Sequence, residues 1–318
     1  MAQQANHALP KGYRIDQYSI ERQLSLGGFS IVYLATDDAG QRVAIKEYLP
    51  NSLALRGEGE IAPNIAPEHL GAFRYGMKCF FEEGRALARL SHPNVVRVLN
   101  FFRANETVYM VMAYEEGSTL QDYIRRRQKP VSENFLRNVF TRVLNGLREV
   151  HAHKLLHLDL KPSNIYLRGD GTPMLIDFGA ARQTLARDTP MLKPMYTPGF
   201  ASPEHYQREH LGPWSDIYSI GASMYACIAL AAPPAADLRR ESDQMAPAMA
   251  RWAGRYSDQL LETIDWCLRL DHLYRPQSVF ALQKALTGTP PPLSRPTIAA
   301  PRSWFGQLVG KLKGGADR

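Results

Sequence analysis

The spacing of the hydrophobic residues changes along the chain. From Tyr18 to about Met112 they occur in short runs rich in β-branched and aromatic residues, which are typical of strands. Three runs are the clearest strand candidates: Ile31 to Ala35, Arg42 to Glu47 and Val108 to Met112. Between the first two, Asp37 to Gly40 is typical of a hairpin turn. The first part of the chain is therefore predicted to form short strands with one helix.

After the last of these strands the spacing becomes helical. Between residues 136 and 150 apolar side chains recur every three or four positions, and Ser132 just upstream is a typical helix start. Two further helices are predicted over Asp216 to Ala232 and Gln259 to Leu270. Strands followed by helices indicate an α+β protein of two lobes, with the crossover at Glu115-Glu116-Gly117.

These patterns divide the chain into parts. The expected parts are a flexible N-terminal arm over 1–13, a folded unit over 14–288 with lobes 14–113 and 118–288 around a hinge at 113–117, and a tail over 289–318. The tail begins as a proline-rich linker, with five prolines between Thr289 and Pro301. It ends as a basic amphipathic segment with Trp304, Leu308 and Leu312 four residues apart. A disordered end is favoured over membrane contact of this tail, because domain termini are commonly loose.

Composition narrows the class of protein. The chain has 45% hydrophobic residues, enough for a substantial core, and three widely spaced cysteines without a CxxC pair. That usage argues against a disulfide framework or a zinc site and predicts a cytoplasmic protein. No secretory signal and no run of apolar residues long enough to span a membrane is expected. The net charge of +7 predicts a solvated basic face, and no nucleic-acid motif accompanies it.

A catalytic constellation lies between residues 157 and 179. The chain reads HLDLKPSN from residue 157, and DFG from residue 177. Phosphoryl transfer from ATP needs a carboxylate at the attacking hydroxyl, a cation near the γ-phosphate, and an amide and a second carboxylate for Mg²⁺. Asp159, Lys161, Asn164 and Asp177 supply these groups in that order.

The sequence resembles the eukaryotic-like (Hanks-type) serine/threonine protein kinases, in particular a proteobacterial branch. The resemblance covers about residues 14–288, and the motif positions that carry it occur in the expected order: Lys46, Glu83, Asp159, Asp177, Glu204, Asp216 and Arg275. It implies a bilobal kinase fold, with a small antiparallel sheet and an αC helix in the N-lobe and a larger, mainly helical C-lobe. It also implies ATP with Mg²⁺, or Mn²⁺ in its place, protein substrates bearing serine or threonine, autophosphorylation and a cognate phosphatase.

The resemblance assigns the ATP-binding residues. Lys46 lies in Val-Ala-Ile-Lys on a strand beside Ala44, and its ion-pair partner is expected to be Glu83, with Glu82 as the competing assignment. The glycine-rich loop departs from the family pattern, since Ser25 and Ser30 replace glycines. The expected nucleotide-binding residues are Leu24, Gly27, Gly28, Val32, Ala44, Lys46, Met112 as gatekeeper, Tyr114 in the hinge and Tyr166 as floor.

The resemblance also suggests how activity is controlled. Leu158 stands where many kinases carry an arginine that meets a phosphate on the activation loop. We therefore expect that activity does not depend strictly on a loop phosphate. Thr184 and Thr189 are the candidate phosphosites, whereas Thr197 is expected to contact the catalytic Asp159 and Lys161.

Three further residues are expected to act structurally. Glu204, in a Ser-Pro-Glu variant of the Ala-Pro-Glu motif with Ser202, should pair with Arg275, and Asp216 should brace the catalytic loop. The long stretch from Leu49 to Gly76 is expected to regulate αC or to dock a partner.

Two alternatives to a protein kinase stay open from the sequence. The altered glycine loop is compatible with a pseudokinase scaffold that binds nucleotide or partners without catalysis. A small-molecule phosphotransferase of the same fold is disfavoured, because the segment from Thr197 to Glu204, with Arg275, suits a peptide substrate.

Overall fold

The structure is a computed structural model that describes residues 6–178, 196–207 and 209–288. Thr184, Thr189 and the tail over 289–318 lie outside the described residues.

The first lobe is built on a six-stranded antiparallel sheet with the order β1-β2-β3-β4-β6-β5. Its strands are β1 (Arg14–Ile15), β2 (Tyr18–Leu26), β3 (Ser30–Asp37), β4 (Arg42–Tyr48), β5 (Val98–Ala104) and β6 (Thr107–Ala113). The hairpin between β3 and β4 forms as the sequence predicts, with the Asp37 carboxylate accepting the amide protons of Ala39 and Gln41. Lys46 is paired with Met110, and Ala44 with Met112, so these four side chains lie on one face of the sheet.

One long helix, α1 (Leu70–Leu87), packs on this sheet against β5 and β6. The stretch from residue 49 to 76 is therefore not one insertion, because its last seven residues are the first turns of α1. The helix lies very close to β4: a Cβ atom added at Gly76 would overlap the hydroxyl of Tyr48. Only glycine fits at this crossing, so Gly76 sets how near α1 approaches the strand that carries Lys46.

The connecting segment, which we define as residues 49–69, is anchored by a buried charge cluster. Arg56 and Glu47 are both fully buried, and the guanidinium donates to both carboxylate oxygens, at 2.6 and 2.7 Å. The hydroxyls of Tyr33 and Tyr109 donate to the same carboxylate, each at 2.6 Å. Every strong hydrogen-bonding site of Glu47 is thus occupied, which offsets the desolvation of the pair.

The prediction of a flexible N-terminal arm over 1–13 is wrong for residues 6–13. Asn6 is 3% exposed, and its side-chain NH₂ donates to the Asn51 side chain at 2.6 Å, while its side-chain oxygen accepts the main-chain amide proton of Arg56 at 2.7 Å. Leu9 is buried, and its amide donates to the Tyr33 hydroxyl. The N-terminal residues therefore form part of the core that holds the connecting segment.

The second lobe is mainly helical. Its helices are α2 (Leu120–Arg127), α3 (Glu133–Ala152), α4 (Pro203–Gln207), α5 (Pro213–Ala229), α6 (Ala236–Glu241), α7 (Ala248–Trp252), α8 (Asp258–Cys267) and α9 (Val279–Thr287). Ser132 begins α3 as the sequence predicts, its hydroxyl accepting the Phe135 amide proton. The apolar helix predicted to reach Ala232 ends at Ala229, since Leu230 takes a left-handed cap at φ 60°.

A small sheet and a buried helix position the predicted catalytic residues in this lobe. Strands β7 (Gly117–Thr119), β8 (Ile165–Arg168) and β9 (Pro173–Leu175) form a three-stranded antiparallel sheet beneath the first lobe. The segment over 157–164, called the catalytic segment for the residues predicted to act there, lies between α3 and β8 and packs on the buried helix α5. Among the described residues, no helix is both long enough and apolar enough to cross a membrane.

Candidate active site

A cleft of about 660 Å³ opens between the two lobes. Of the expected nucleotide-binding residues, those lining it are Leu24, Val32, Ala44, Lys46, Met112, Tyr114 and Tyr166. Apolar walls closed by a strand backbone suit a flat heteroaromatic ring. Tyr166 forms part of the floor, and its hydroxyl donates to the Glu115 carbonyl of the hinge.

The two glycines of the expected loop lie beside this cleft, in the turn between β2 and β3. The Gly27 amide donates to Ser30, and the Gly28 carbonyl accepts the amide proton of Asn51 at 2.9 Å. The Leu49 amide likewise donates to the Phe29 carbonyl at 2.9 Å. The connecting segment therefore fixes the glycine turn through main-chain bonds.

Lys46 reaches into the cleft from β4. Its ammonium group lies 2.8 Å from a carboxylate oxygen of Asp177, and its side chain is 9% exposed. Glu83, on α1, is buried and lines the same cleft, whereas Glu82 is placed 4.0 Å from Arg85 near the helix surface. The structure thus brings Lys46, Asp177 and Glu83 to the same cleft, and of the two candidate glutamates Glu83 is the one that lines it.

Asp159 lies at the centre of a compact polar cluster. One carboxylate oxygen accepts from the Lys161 ammonium at 2.7 Å and the Asn164 amide at 3.0 Å. The other accepts from the Thr197 hydroxyl at 2.9 Å. The Thr197 hydroxyl in turn accepts from Lys161 at 2.7 Å. Asp159 is held by two segments, its own segment over 157–164 and the one that carries Thr197, and its carboxylate is only 17% exposed.

Asp216, at the start of α5, holds the backbone that carries Asp159. Its two carboxylate oxygens accept the amide protons of His157 and Leu158, at 2.9 and 2.8 Å, and one of them also contacts the His151 ring at 2.8 Å. Burial alone would raise the pKa of Asp216, but the contacts with the two histidines outweigh it and the pKa lies below its usual value. Asp216 is therefore an ionised acceptor, in the bracing position expected for it.

Glu204 and Arg275 form the expected buried pair. The guanidinium donates to both carboxylate oxygens, at 2.7 and 3.1 Å, and also to the main-chain carbonyl of Leu270. Burial favours the neutral acid, but the Arg275 contacts win and lower the pKa of Glu204. The pair ties α4 to the turn after α8. The loop over 197–201, just before α4, is called the peptide-facing loop, because its sequence suits a peptide substrate.

Sequence reasoning missed two groups near the site. One is the pair Ser202 and His205, which contacts the backbone at Leu158. The other is Glu47 with Arg56. A signal for Glu47 was available, because on β4 it shares the buried face of Val43 and Ile45, and a carboxylate in such a row needs a partner.

The donor set fits a divalent cation bound with nucleotide. Asn164 and Asp177 both line the cleft and offer amide and carboxylate oxygens, the hard ligands that Mg²⁺ prefers. Asn164 directs its amide nitrogen to Asp159, which leaves its oxygen on the other side. No cluster of three or more His, Cys, Asp or Glu side chains suited to a metal occurs in the described part of the chain.

Comparison with known proteins gives a consistent family. The model of the protein kinase domain matches residues 18–286. Over 217 residues the chain is 36% identical to the serine/threonine-protein kinase Nek2 of Homo sapiens, covering 64% of this chain and 48% of Nek2. It is 29% identical over 213 residues to the probable serine/threonine-protein kinase PknB of Lactococcus lactis, covering 66% of this chain and 31% of that protein.

Two solved structures also match the fold of this chain. The apo form of PpkA-294 superposes with a TM-score of 0.78 at 33% identity, covering 88% of this chain and 99% of that one. The Mycobacterium tuberculosis PknI kinase domain shares the fold, with a TM-score of 0.66 at 20% identity over 88% of this chain and 98% of that one. The chain spans half or less of the length of these curated sequence relatives.

Proposed function

The chain belongs to the protein kinase domain family, and from this premise we propose that it is a serine/threonine protein kinase. It transfers the γ-phosphate of ATP to serine and threonine hydroxyls of proteins, including its own. A phosphatase that reverses the transfer belongs to the same proposal, on the strength of the family resemblance.

The observation that carries the proposal is the environment of Asp159. A carboxylate that is to receive a hydroxyl proton must be ionised, aimed and close to the transferred group. Lys161, Asn164 and Thr197 donate hydrogen bonds to both of its oxygens, so the carboxylate is held in one orientation while 17% of it stays exposed. A scaffold that only bound nucleotide would need no such arrangement.

In the reaction, the substrate hydroxyl oxygen forms the new bond to the γ-phosphorus, while the bond from that phosphorus to the β–γ bridging oxygen breaks and ADP leaves. The hydroxyl proton passes to Asp159. In this proposal Lys161 balances the negative charge that gathers on the transferred group, and Lys46 holds the other phosphates of ATP.

Asn164 and Asp177 are the residues that would hold Mg²⁺, with Mn²⁺ as the alternative. The cation supplies charge neutralisation to the phosphates. The Lys46 ammonium, 2.8 Å from Asp177, orients that carboxylate toward the cleft.

The deciding experiment compares autophosphorylation of wild type and Asp159→Asn with Mg²⁺-ATP, by intact mass and site mapping. Wild type should gain phosphate, and the variant should be slower by about 10²–10⁴-fold, because asparagine cannot accept the proton. Asp38→Asn is the matched control, since Asp38 lies in the exposed β3–β4 turn. If ATP raised the melting temperature of wild type but no phosphate were transferred, the scaffold alternative would replace the kinase.

We also propose that activity does not require a loop phosphate, because Leu158 offers no cation to such a group. Alanine replacement of Thr184 and Thr189, singly, should leave peptide phosphorylation within about 3-fold of wild type. A large loss at either threonine would contradict this.

A further inference from the structure

A buried serine and histidine after the peptide-facing loop contact the backbone of the catalytic segment. Ser202 and His205 are 0% and 1% exposed. The Ser202 hydroxyl lies 2.7 Å from Nδ1 of His205, and Nε2 of the same ring lies 3.1 Å from the carbonyl oxygen of Leu158. The ring therefore bridges α4 and the residue directly before Asp159.

The bonding partners fix the form of this imidazole. A carbonyl oxygen only accepts, so Nε2 must carry the proton that it donates to Leu158. Nδ1 is then the acceptor, for the Ser202 hydroxyl and for the Ser202 amide at 3.2 Å. Burial lowers the pKa of His205, which favours the neutral ring that this pattern needs.

The carbonyl that His205 holds belongs to a strained residue. Leu158 has φ 62°, in the left-handed region that non-glycine residues avoid unless their surroundings impose it. Its amide donates to Asp216, and the next amide, that of Asp159, lies 3.4 Å from Nδ1 of His157. Of these contacts, the one from His205 is made to the carbonyl of the peptide bond that joins Leu158 to Asp159.

We propose that Ser202 and His205 are a positioning pair, in which the serine hydroxyl orients the imidazole and the imidazole holds the Leu158 carbonyl, so that Asp159 is presented to the cleft. The inference rests on the proposed function and deepens it. Since Leu158 carries no guanidinium to fasten this turn, its conformation is set by contacts to its backbone, and α4 supplies one of them. The geometry of the peptide-facing loop is thereby coupled to that of the catalytic carboxylate.

Two substitutions separate this role from general packing. The Gln side chain can place its amide NH₂ near the position of Nε2, whereas the Asn amide reaches only the position of Nδ1. His205→Asn should therefore lower kcat for peptide phosphorylation by about 10–100-fold while the KM for ATP changes less than about 2-fold. His205→Gln should keep kcat within about 3-fold of wild type. His153→Asn, at an exposed histidine after α3, is the matched control.

A second readout does not depend on phosphate transfer. Amide hydrogen exchange at Leu158 and Asp159 should be faster in His205→Asn than in wild type, and close to wild type in His205→Gln. If wild type transfers no phosphate, the proposed function fails while the exchange rates still decide the positioning role. Equal exchange in wild type and His205→Asn would overturn the inference. So would equal kcat losses in the Asn and Gln variants, or losses that simply follow the unfolding midpoint.

Discussion

Replacing Arg56 by methionine tests the buried cluster that anchors the connecting segment. Arg56→Met keeps most of the side-chain volume but removes the cation from Glu47, and both side chains are 0% exposed. Removing one partner of such a pair costs about 3–5 kcal/mol, because the remaining charge stays buried. Tyr33 and Tyr109 still donate to Glu47, so we expect the lower end, about 3 kcal/mol.

The assay is urea unfolding followed by far-ultraviolet circular dichroism. With a denaturant slope of about 3 kcal/mol per M, the midpoint should fall by about 1 M. Arg14→Met is the matched control, since the Arg14–Asp38 pair is exposed, at 64% and 58%, and its loss should change the free energy of unfolding by less than about 0.5 kcal/mol. The double variant Glu47→Gln, Arg56→Met should recover about 1 kcal/mol or more, because no unpaired charge remains. A cost below about 1 kcal/mol for Arg56→Met alone would refute the reasoning.

Three further predictions follow from the described contacts. Gly76→Ala should destabilise the protein by about 1–3 kcal/mol, since the added methyl group would overlap the hydroxyl of Tyr48 on β4. Gly71→Ala, on the same helix but with open space around it, should stabilise the protein by about 0.5–1 kcal/mol. Equal melting temperatures of the two variants would count against this prediction. In a peptide phosphorylation assay, Thr197→Val should lower kcat by about 10–100-fold and Thr197→Ser much less. Of the two, only serine keeps the hydroxyl that lies between the Asp159 carboxylate and the Lys161 ammonium. Equal rates in the two variants would contradict this prediction. The free energy of unfolding should fall as the pH drops from 7 to about 5.5, because burial holds the pKa of His157 and His205 below the ordinary histidine value of 6.5 and the unfolded chain takes up protons first. His205→Gln should reduce that slope, which can approach about 1.4 kcal/mol per pH unit for each such histidine, and an unchanged slope would argue against a neutral buried ring.

The sequence predicted those parts of the fold that rest on local patterns. Three such features each depend on only a few adjacent residues: the alternating pattern of β4, the turn at Asp37 and the serine cap at Ser132. The contacts around Asp159 were also predictable in part, since phosphoryl transfer demands particular groups in a particular order, and Asp159 and Asn164 lie within one short motif.

What the sequence did not predict depends on partners far apart in the chain. Asn6 looks like part of a polar arm, because nothing near it indicates that its side-chain oxygen meets the main-chain amide of Arg56. His205 carries no sign of its contact with Leu158, since that contact needs both the left-handed turn and the exact placement of α4. Long-range polar pairs of this kind follow from the assembled packing and not from a local period.

The packing of the N-terminal residues has a practical consequence for the design of truncated forms of this protein. The family match begins at residue 18, but Asn6 and Leu9 are already inside the core. A fragment starting at residue 18 would leave the Arg56 amide and the Asn51 side chain without the partners that Asn6 provides. Because the Asn51 amide also holds the Gly28 carbonyl, such trimming would loosen the turn above the nucleotide cleft, and a weak ATP affinity in the fragment would be a property of the cut and not of the enzyme.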